Sequence, residues 1–380
     1  MDCPDGVVPR RLLQAVIGQG LVFVVFFVLL DVAVFTHDRA LVGVRARSPR
    51  AGRSSHAWVR NGGHGASAER TSTLRAVINR LRDGDLVALV APSGWVPPAR
   101  AQAAVTVLTG WGLRIRMGRH ALGRHTYLSG TDEERLADLN DALRSPEVRG
   151  VLCLRGGYGA QRLVDRLDLR AARDDPKLVL GFSDVTALHL ALWTGAGLPT
   201  VHGPTVTQLD RGPASLTATA ARHALMSGEP VTVTAQDEEG TRDLRVPGRA
   251  TGRLLGGNLT LLATSVGTPF QPDLRGAILL IEDVHEEPYE IDRYLVQLAR
   301  AGRLDGVAGV AVGQFTDCGT ADVYQPSVVE VLAERLTPLG VPVLGGLPIG
   351  HGDQQVAVGL GVPAVLDATA GTLVVEPVGR

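Results

Sequence analysis

From residue 86 onward, short unbroken apolar runs alternate with longer stretches in which apolar positions return every three or four residues. The short runs are LVALVAP (86–92), VRGVLCL (148–154), LVLGF (178–182), GAILLIEDV (276–284) and GVAGVAVGQF (306–315). Runs this short, without polar alternation, predict strands buried on both faces. Between them, ARAQAAVTVLTGWG, ERLADLNDALRSPEV and IDRYLVQLARAG predict helices, and another helix is expected near 326–336, ahead of VPVLGGLPIG. Such alternation predicts an α/β fold with a parallel sheet covered on both sides. No internal repeat is evident.

One stretch interrupts the pattern. Residues 229–250 (EPVTVTAQDEEGTRDLRVPGRA) are polar, charged and punctuated by Pro and Gly, which marks a domain boundary. An N-terminal parallel-sheet α/β domain is therefore expected over 73–240 and a smaller C-terminal α/β domain over 250–380.

Residues 1–72 form an extension of different character. Ala15 to Phe35 is almost wholly apolar, broken by Gln19, Asp31 and two glycines, and is long enough to predict a membrane helix. Arg10 and Arg11 precede it, whereas Arg39, Arg45, Arg47, Arg50 and Arg53 follow, a bias that holds the bulk of the chain in the cytoplasm. The competing reading is a non-native appendage from an overlong reading frame. Residues 45–72, rich in Arg, Ser and Gly, read as a solvated linker.

Composition narrows the chemistry. With 380 residues, 45% hydrophobic and 20% charged, and 38 basic against 39 acidic side chains, the chain is globular and lacks a nucleic-acid-binding field. Cys3, Cys153 and Cys318 are too scattered for a disulfide framework or a zinc site, so the chain reads as cytosolic. Lys177 is the sole lysine and follows no Gly-rich loop, which argues against a phosphate-binding P-loop and a pyridoxal enzyme. No cofactor and no metal are expected.

Four places carry candidate chemistry, each with a plainer reading. In LVLGFSDVTALHLAL a strand runs into Ser183 and Asp184 at a helix start, where Ser183 is either a nucleophile on a tight elbow or an N-cap. Val185 stands where the G-x-S-x-G elbow has its second glycine. In CLRGGYGAQRLVD, Gly156, Gly157 and Gly159 either cradle an anion with backbone N–H groups or make a simple turn; Arg162 breaks the dinucleotide pattern. Glu282, at the end of a buried strand, is either a site carboxylate or the first of a solvated charge run. His351, in GGLPIGHGDQQ, is either a proton carrier or an exposed loop histidine. His202 and His189 compete for that role, with His189 reading as a core residue. Ser, carboxylate and His in this order are what an acyl-transfer triad requires.

Nine stretches in order resemble the LD-carboxypeptidases, a family that includes murein tetrapeptide carboxypeptidases and microcin C immunity peptidases. They are VALVAPSG, YLSGTDEERLADLNDAL, VLCLRGGYGAQRL, LVLGFSDVTALHLAL, HGPTVTQL, LLGGNLTLLATSVGTP, ILLIEDVHEEPYEIDRYLVQL, GVAVGQFTDC and LPIGHGDQQVAVGLG. The resemblance implies a serine peptidase with a Ser183, Glu282, His351 triad and an oxyanion hole from the N–H groups of Gly157 and Asp184. It implies a substrate wall that includes Gly156, Tyr158, Gly257 and Asn258. It further implies a cofactor-free, cytoplasmic homodimer that removes a terminal D-alanine from muropeptides during cell-wall recycling. Two alternatives stay open: an immunity-type peptidase cleaving aminoacyl-nucleotide amides, and a non-catalytic α/β protein that binds an anion at the glycine loop.

Overall fold

The computed structural model describes residues 78–319 and 325–380. The apolar stretch Ala15–Phe35 and the linker after it lie outside the described residues. Among the described residues, no helix is long and apolar enough to cross a membrane.

Five strands open the fold: β1 (Leu86–Val90), β2 (Arg114–Met117), β3 (Val148–Cys153), β4 (Leu178–Gly181) and β5 (Thr200–His202). They are followed by β6 (Val231–Thr234), β7 (Arg245–Val246), β8 (Arg249–Asn258), β9 (Ile278–Val284), β10 (Gly309–Thr316) and β11 (Val343–Leu344). The last three are β12 (Val358–Leu360), β13 (Pro363–Asp367) and β14 (Thr372–Val375). A six-stranded sheet has the order β12-β5-β4-β3-β1-β2, and an eight-stranded sheet the order β6-β14-β13-β8-β9-β10-β11-β7. The first is parallel except for β12, which runs antiparallel to β5. The second has a parallel centre, β8 to β11, with antiparallel strands on both flanks.

The buried strands obey the apolar-run rule: Leu180 and the whole of Ile278–Ile281 are inaccessible to solvent. The helices are α1 (Pro98–Gly110), α2 (Asp132–Arg144), α3 (Leu169–Asp174) and α4 (Thr186–Ala196), then α5 (Leu216–Met226), α6 (Leu259–Thr264), α7 (Pro288–Arg300) and α8 (Val328–Leu336). Sequence signals fix their starts. Thr131 caps α2 in a reciprocal box, its hydroxyl accepting from Glu134 N at 3.2 Å while the Glu134 carboxylate accepts from Thr131 N at 2.8 Å. Ser327 and Glu330 repeat the box at α8. Pro288 opens α7 at a position where its missing N–H costs nothing.

The α/β class and its parallel sheet are as the apolar pattern predicts. The polar stretch 229–250, read as a boundary, contains β6, β7 and the first residues of β8. In β6 the alternation of VTVT buries Val231 and Val233 and exposes the two threonines, so its polarity is that of an edge strand with one wet face. Residues from the C-terminal half also return to the first sheet, because Val358 of β12 pairs with His202 of β5.

Candidate active site

The C-terminal ends of β3, β4, β5, β8 and β9 carry the candidate residues, which is where open α/β sheets place their sites. β4 ends at Gly181, Phe182 is extended, and Ser183 takes φ +62° before the short turn that leads into α4. A β-carbon in the left-handed region crowds the following carbonyl, so a serine there is held by its surroundings rather than by its own preference. The elbow does without the second glycine because the room comes from the strand side. A Cβ at Gly181 would lie 2.7 Å from Val185 Cγ1, so Val185 packs where the strand has no side chain.

Ser183 also needs a bare neighbour across the cleft. A Cβ at Gly156 would sit 2.9 Å from Ser183 Cβ and 3.2 Å from its Oγ. Gly157 follows at φ +111°, and the Gly156 carbonyl accepts from Gly94 N at 3.0 Å, pinning the loop to the end of β1. Among the described residues, neither Gly157 N–H nor Asp184 N–H donates to a protein acceptor, so both are free for an anion. Tyr158 is 52% exposed and meets the ring of Tyr127 edge-on at 5.9 Å.

Beneath the elbow, the Asp184 side chain is buried. It accepts from Ser93 Oγ at 2.5 Å and Ala160 N at 2.8 Å, tying β1, the glycine loop and the start of α4 together. Burial pushes its carboxyl up against the hydrogen bonds that favour the charge. Arg135, fully buried, donates to the carbonyls of Pro92 and Gly159 and so braces the same loop. Neither Ser93 nor Arg135 stands out in sequence; the only local trace is that Ser93 closes the first apolar run, at a strand end.

Glu282 and His351 are in direct contact. His351 Nδ1 lies 2.6 Å from Glu282 Oε2, with the carboxylate wholly buried and the imidazole side chain 14% exposed. A Cβ at Gly350 would approach Glu282 Oε2 to 2.7 Å, so this glycine is the opening through which the two side chains meet. The loop is clamped from below: Gly352 N donates to Gln314 Oε1 at 2.7 Å, and Gln314 Nε2 donates to the Gln354 carbonyl at 3.0 Å. Burial raises the Glu282 carboxyl, with His351 pulling it back. For His351, burial acts against the charged ring, but the charge and hydrogen bond of Glu282 together outweigh it and the net shift is upward. Such a pair titrates as a unit.

The elbow and the pair are neighbours. The Phe182 ring, one residue before Ser183, lies 4.6 Å from the His351 ring. Among the described residues no hydrogen bond joins Ser183 Oγ to His351, a separation common in unliganded sites.

The remaining candidates sit differently. Asn258 turns inward: its Nδ2 donates to Asp283 Oδ1 at 2.7 Å, its Oδ1 accepts from Leu261 N at 3.2 Å to cap α6, and its N–H donates to Thr186 Oγ1 at 3.1 Å. Gly257 packs its backbone on Thr186 and His202. His189 is a core residue whose Nε2 lies 2.8 Å from the Gly181 carbonyl. His202 is fully buried, 4.0 Å from the second oxygen of Glu282. Among the described residues there is no group of three or more His, Cys, Asp or Glu able to hold a metal ion.

A strained serine at a strand-to-helix elbow, free N–H groups beside it and a buried carboxylate gripping an imidazole define a serine hydrolase type of site. Two family models match the chain, the LD-carboxypeptidase N-terminal domain over residues 87–203 and the LD-carboxypeptidase C-terminal domain over residues 251–366. The chain belongs to the LD-carboxypeptidase family of serine peptidases. It is 47% identical to a Streptomyces coelicolor protein that carries a carboxypeptidase name, over 78% of this chain and 95% of that one. It is 36% identical to a murein tetrapeptide carboxypeptidase of Pseudomonas aeruginosa, over 74% of this chain and 92% of the relative. Among solved structures it resembles the muramoyltetrapeptide carboxypeptidase of Oxalobacter formigenes, with a TM-score of 0.70 and 32% identity over 78% of this chain and 100% of that one. The fold is shared with a microcin C7 self immunity protein, at a TM-score of 0.72 and 24% identity, over 79% of this chain and 98% of that one.

Proposed function

We propose that the chain is a serine LD-carboxypeptidase that releases a terminal D-alanine from muropeptides. The observation that carries this reading is the 2.6 Å contact between Glu282 and His351 beside the strained Ser183 elbow. With Nδ1 held by Glu282, the Nε2 of His351 is left to take the Ser183 proton. Ser183 Oγ then bonds to the carbonyl carbon of the scissile amide, and the oxyanion settles on the N–H groups of Gly157 and Asp184. Collapse breaks the C–N bond, His351 returns its proton to the leaving amine, and water attacks the acyl-enzyme with His351 as base. Glu282 orients the ring and stabilises its cation.

Support for the substrate comes from the relatives named for murein tetrapeptides. The Gly156 backbone borders the nucleophile, and the exposed Tyr158 two residues on would form a wall of the substrate site, while Asn258 acts from behind through Asp283. The reading carries with it turnover of cytoplasmic muropeptides by a homodimer. Incubating the protein with a muramoyl tetrapeptide should yield tripeptide and free D-alanine by mass spectrometry, and a Ser183→Ala variant should not. Release of amino acid from an aminoacyl-sulfamoyl adenosine, with the tetrapeptide left intact, would replace this substrate by the immunity-type one.

A further inference from the structure

Glu282 uses only one of its two oxygens. Oε2 is held by His351, whereas Oε1 is buried and has no hydrogen-bond partner. A carboxylate wholly out of water with an unsatisfied oxygen is costly, and native structures rarely leave such an atom alone. Two polar side chains stand by the carboxylate: the Asn258 amide, which eases its charge but donates to Asp283 Oδ1 at 2.7 Å, and His202, whose Nε2 lies 4.0 Å from Oε1 on an equally inaccessible side chain and whose two ring nitrogens lack partners. Two orphaned, complementary groups therefore face each other inside the core. A movement of about 1 Å brings them to hydrogen-bond distance.

We infer that His202 is a positioning residue for the hydrolysis: its Nε2–H donates to Glu282 Oε1 and fixes the carboxylate in the orientation that grips His351. The inference rests on the triad reading and extends it to a histidine that never touches substrate. Surroundings favour a neutral donor ring. Burial, then the nearby His189 and His351, hold His202 well below the usual histidine range. The titratable groups around it are His189 from α4, with ring centres 6.3 Å apart, Glu282 from β9, and His351 from the loop after β11. Asp283, next to Glu282 in β9, has its oxygens occupied by hydrogen bonds from Asn258 and Thr260. Phe182 stands edge-on to the imidazole with ring centres 6.0 Å apart. On its other side the Nδ1 edge faces Gly257, beside the Thr186 hydroxyl.

A donor on Oε1 stabilises the carboxylate anion and so opposes the first protonation of the Glu282–His351 pair, wherever that proton resides. Removing the donor should therefore move the acidic limb of the rate profile to higher pH, an effect that packing alone does not produce. The test uses the full chain and three variants. His202→Gln keeps an amide N–H near the Nε2 position, His202→Asn places it near Nδ1, and His202→Leu removes it. The readouts are D-alanine release and the pH dependence of Ser183 labelling by a fluorophosphonate, which needs no peptide.

His202→Leu should lose roughly 10- to 100-fold in kcat with KM unmoved, and its acidic limb should rise. His202→Gln should recover most of the rate and return the limb; His202→Asn should not. If the leucine variant fails to fold, the contrast between Gln and Asn carries the same decision. Equal rates and unshifted limbs for Gln and Asn, or a wild-type profile for Leu, would overturn the role of His202 while leaving the triad standing. Absence of Ser183 labelling in the unmodified protein would remove the triad, and this inference with it.

Discussion

His351 Nδ1 and Glu282 Oε2 stand 2.6 Å apart although 69 positions separate them in the chain. The contact depends on a glycine, Gly350, whose missing side chain leaves the space that the carboxylate occupies.

In the proposed mechanism the pair sets the pH dependence. His351 acts as a base only when neutral, and its net shift is upward from the ordinary value of 6.5. Activity should therefore fall as pH drops through that raised value, with the acidic limb of kcat/KM above an ordinary histidine's. Glu282→Gln removes the charge that lifts His351 and leaves the burial that lowers it, so the limb should move to lower pH. The plateau should drop by roughly 10³- to 10⁴-fold. A pH–rate series on both proteins checks this, and an unmoved limb counts against the contact.

Ser183 should separate catalysis from backbone strain. Ser183→Ala should abolish D-alanine release, a loss on the order of several powers of ten. Ser183→Gly should be equally inactive, yet more stable than the alanine variant by about 1 kcal/mol, because glycine accepts φ +62° without crowding. Denaturant melts of the two inactive variants measure the difference, and equal midpoints would mean that the elbow is unstrained.

Gly156 tests the close approach to the nucleophile. A methyl group there would lie 2.9 Å from Ser183 Cβ, so Gly156→Ala must push the serine or the loop aside. A displacement of this size should cost about 100-fold in kcat. Steady-state kinetics on a folded Gly156→Ala variant decide the matter, and near-normal kcat would show that the serine does not work from this position.

Ser93 anchors the elbow through Asp184. Ser93→Ala leaves the buried Asp184 carboxylate short of one donor, at a cost of about 1–3 kcal/mol. Urea unfolding should show a lower midpoint with unchanged slope. Stability equal to the parent protein would place the support of Asp184 elsewhere.

Much of this arrangement was legible in sequence because Ser183 and Glu282 end apolar strand runs and His351 sits between glycines in a loop. Ser183 follows LVLGF and Glu282 follows ILLI, and a buried parallel strand delivers its next residue to the edge of its sheet, whereas His351 follows PIG on the loop after β11. The glycines at 156 and 350 were legible as loops, but not as clearances for Ser183 and Glu282, since a clearance is defined by what lies opposite. For the same reason Ser93 and Arg135 passed unnoticed: their partners are 91 positions away for Ser93 and 43 and 24 positions away for Arg135, and no local pattern records such distances. His202 read as a rival to His351, whereas burial places it behind Glu282. The polar strand β6 was hidden by its exposed threonines, and β12, three residues long, is too short for any period to show.

That short strand has a consequence for how the protein is made. Because Val358 pairs with His202, the outer backbone of β5 waits bare on the emerging polypeptide until the ribosome has added β12, far along the chain. His351 arrives only a few codons earlier. The nascent chain thus carries an open ladder able to recruit a foreign strand from the making of β5 until that of β12, and it becomes competent for chemistry at nearly the moment that ladder closes.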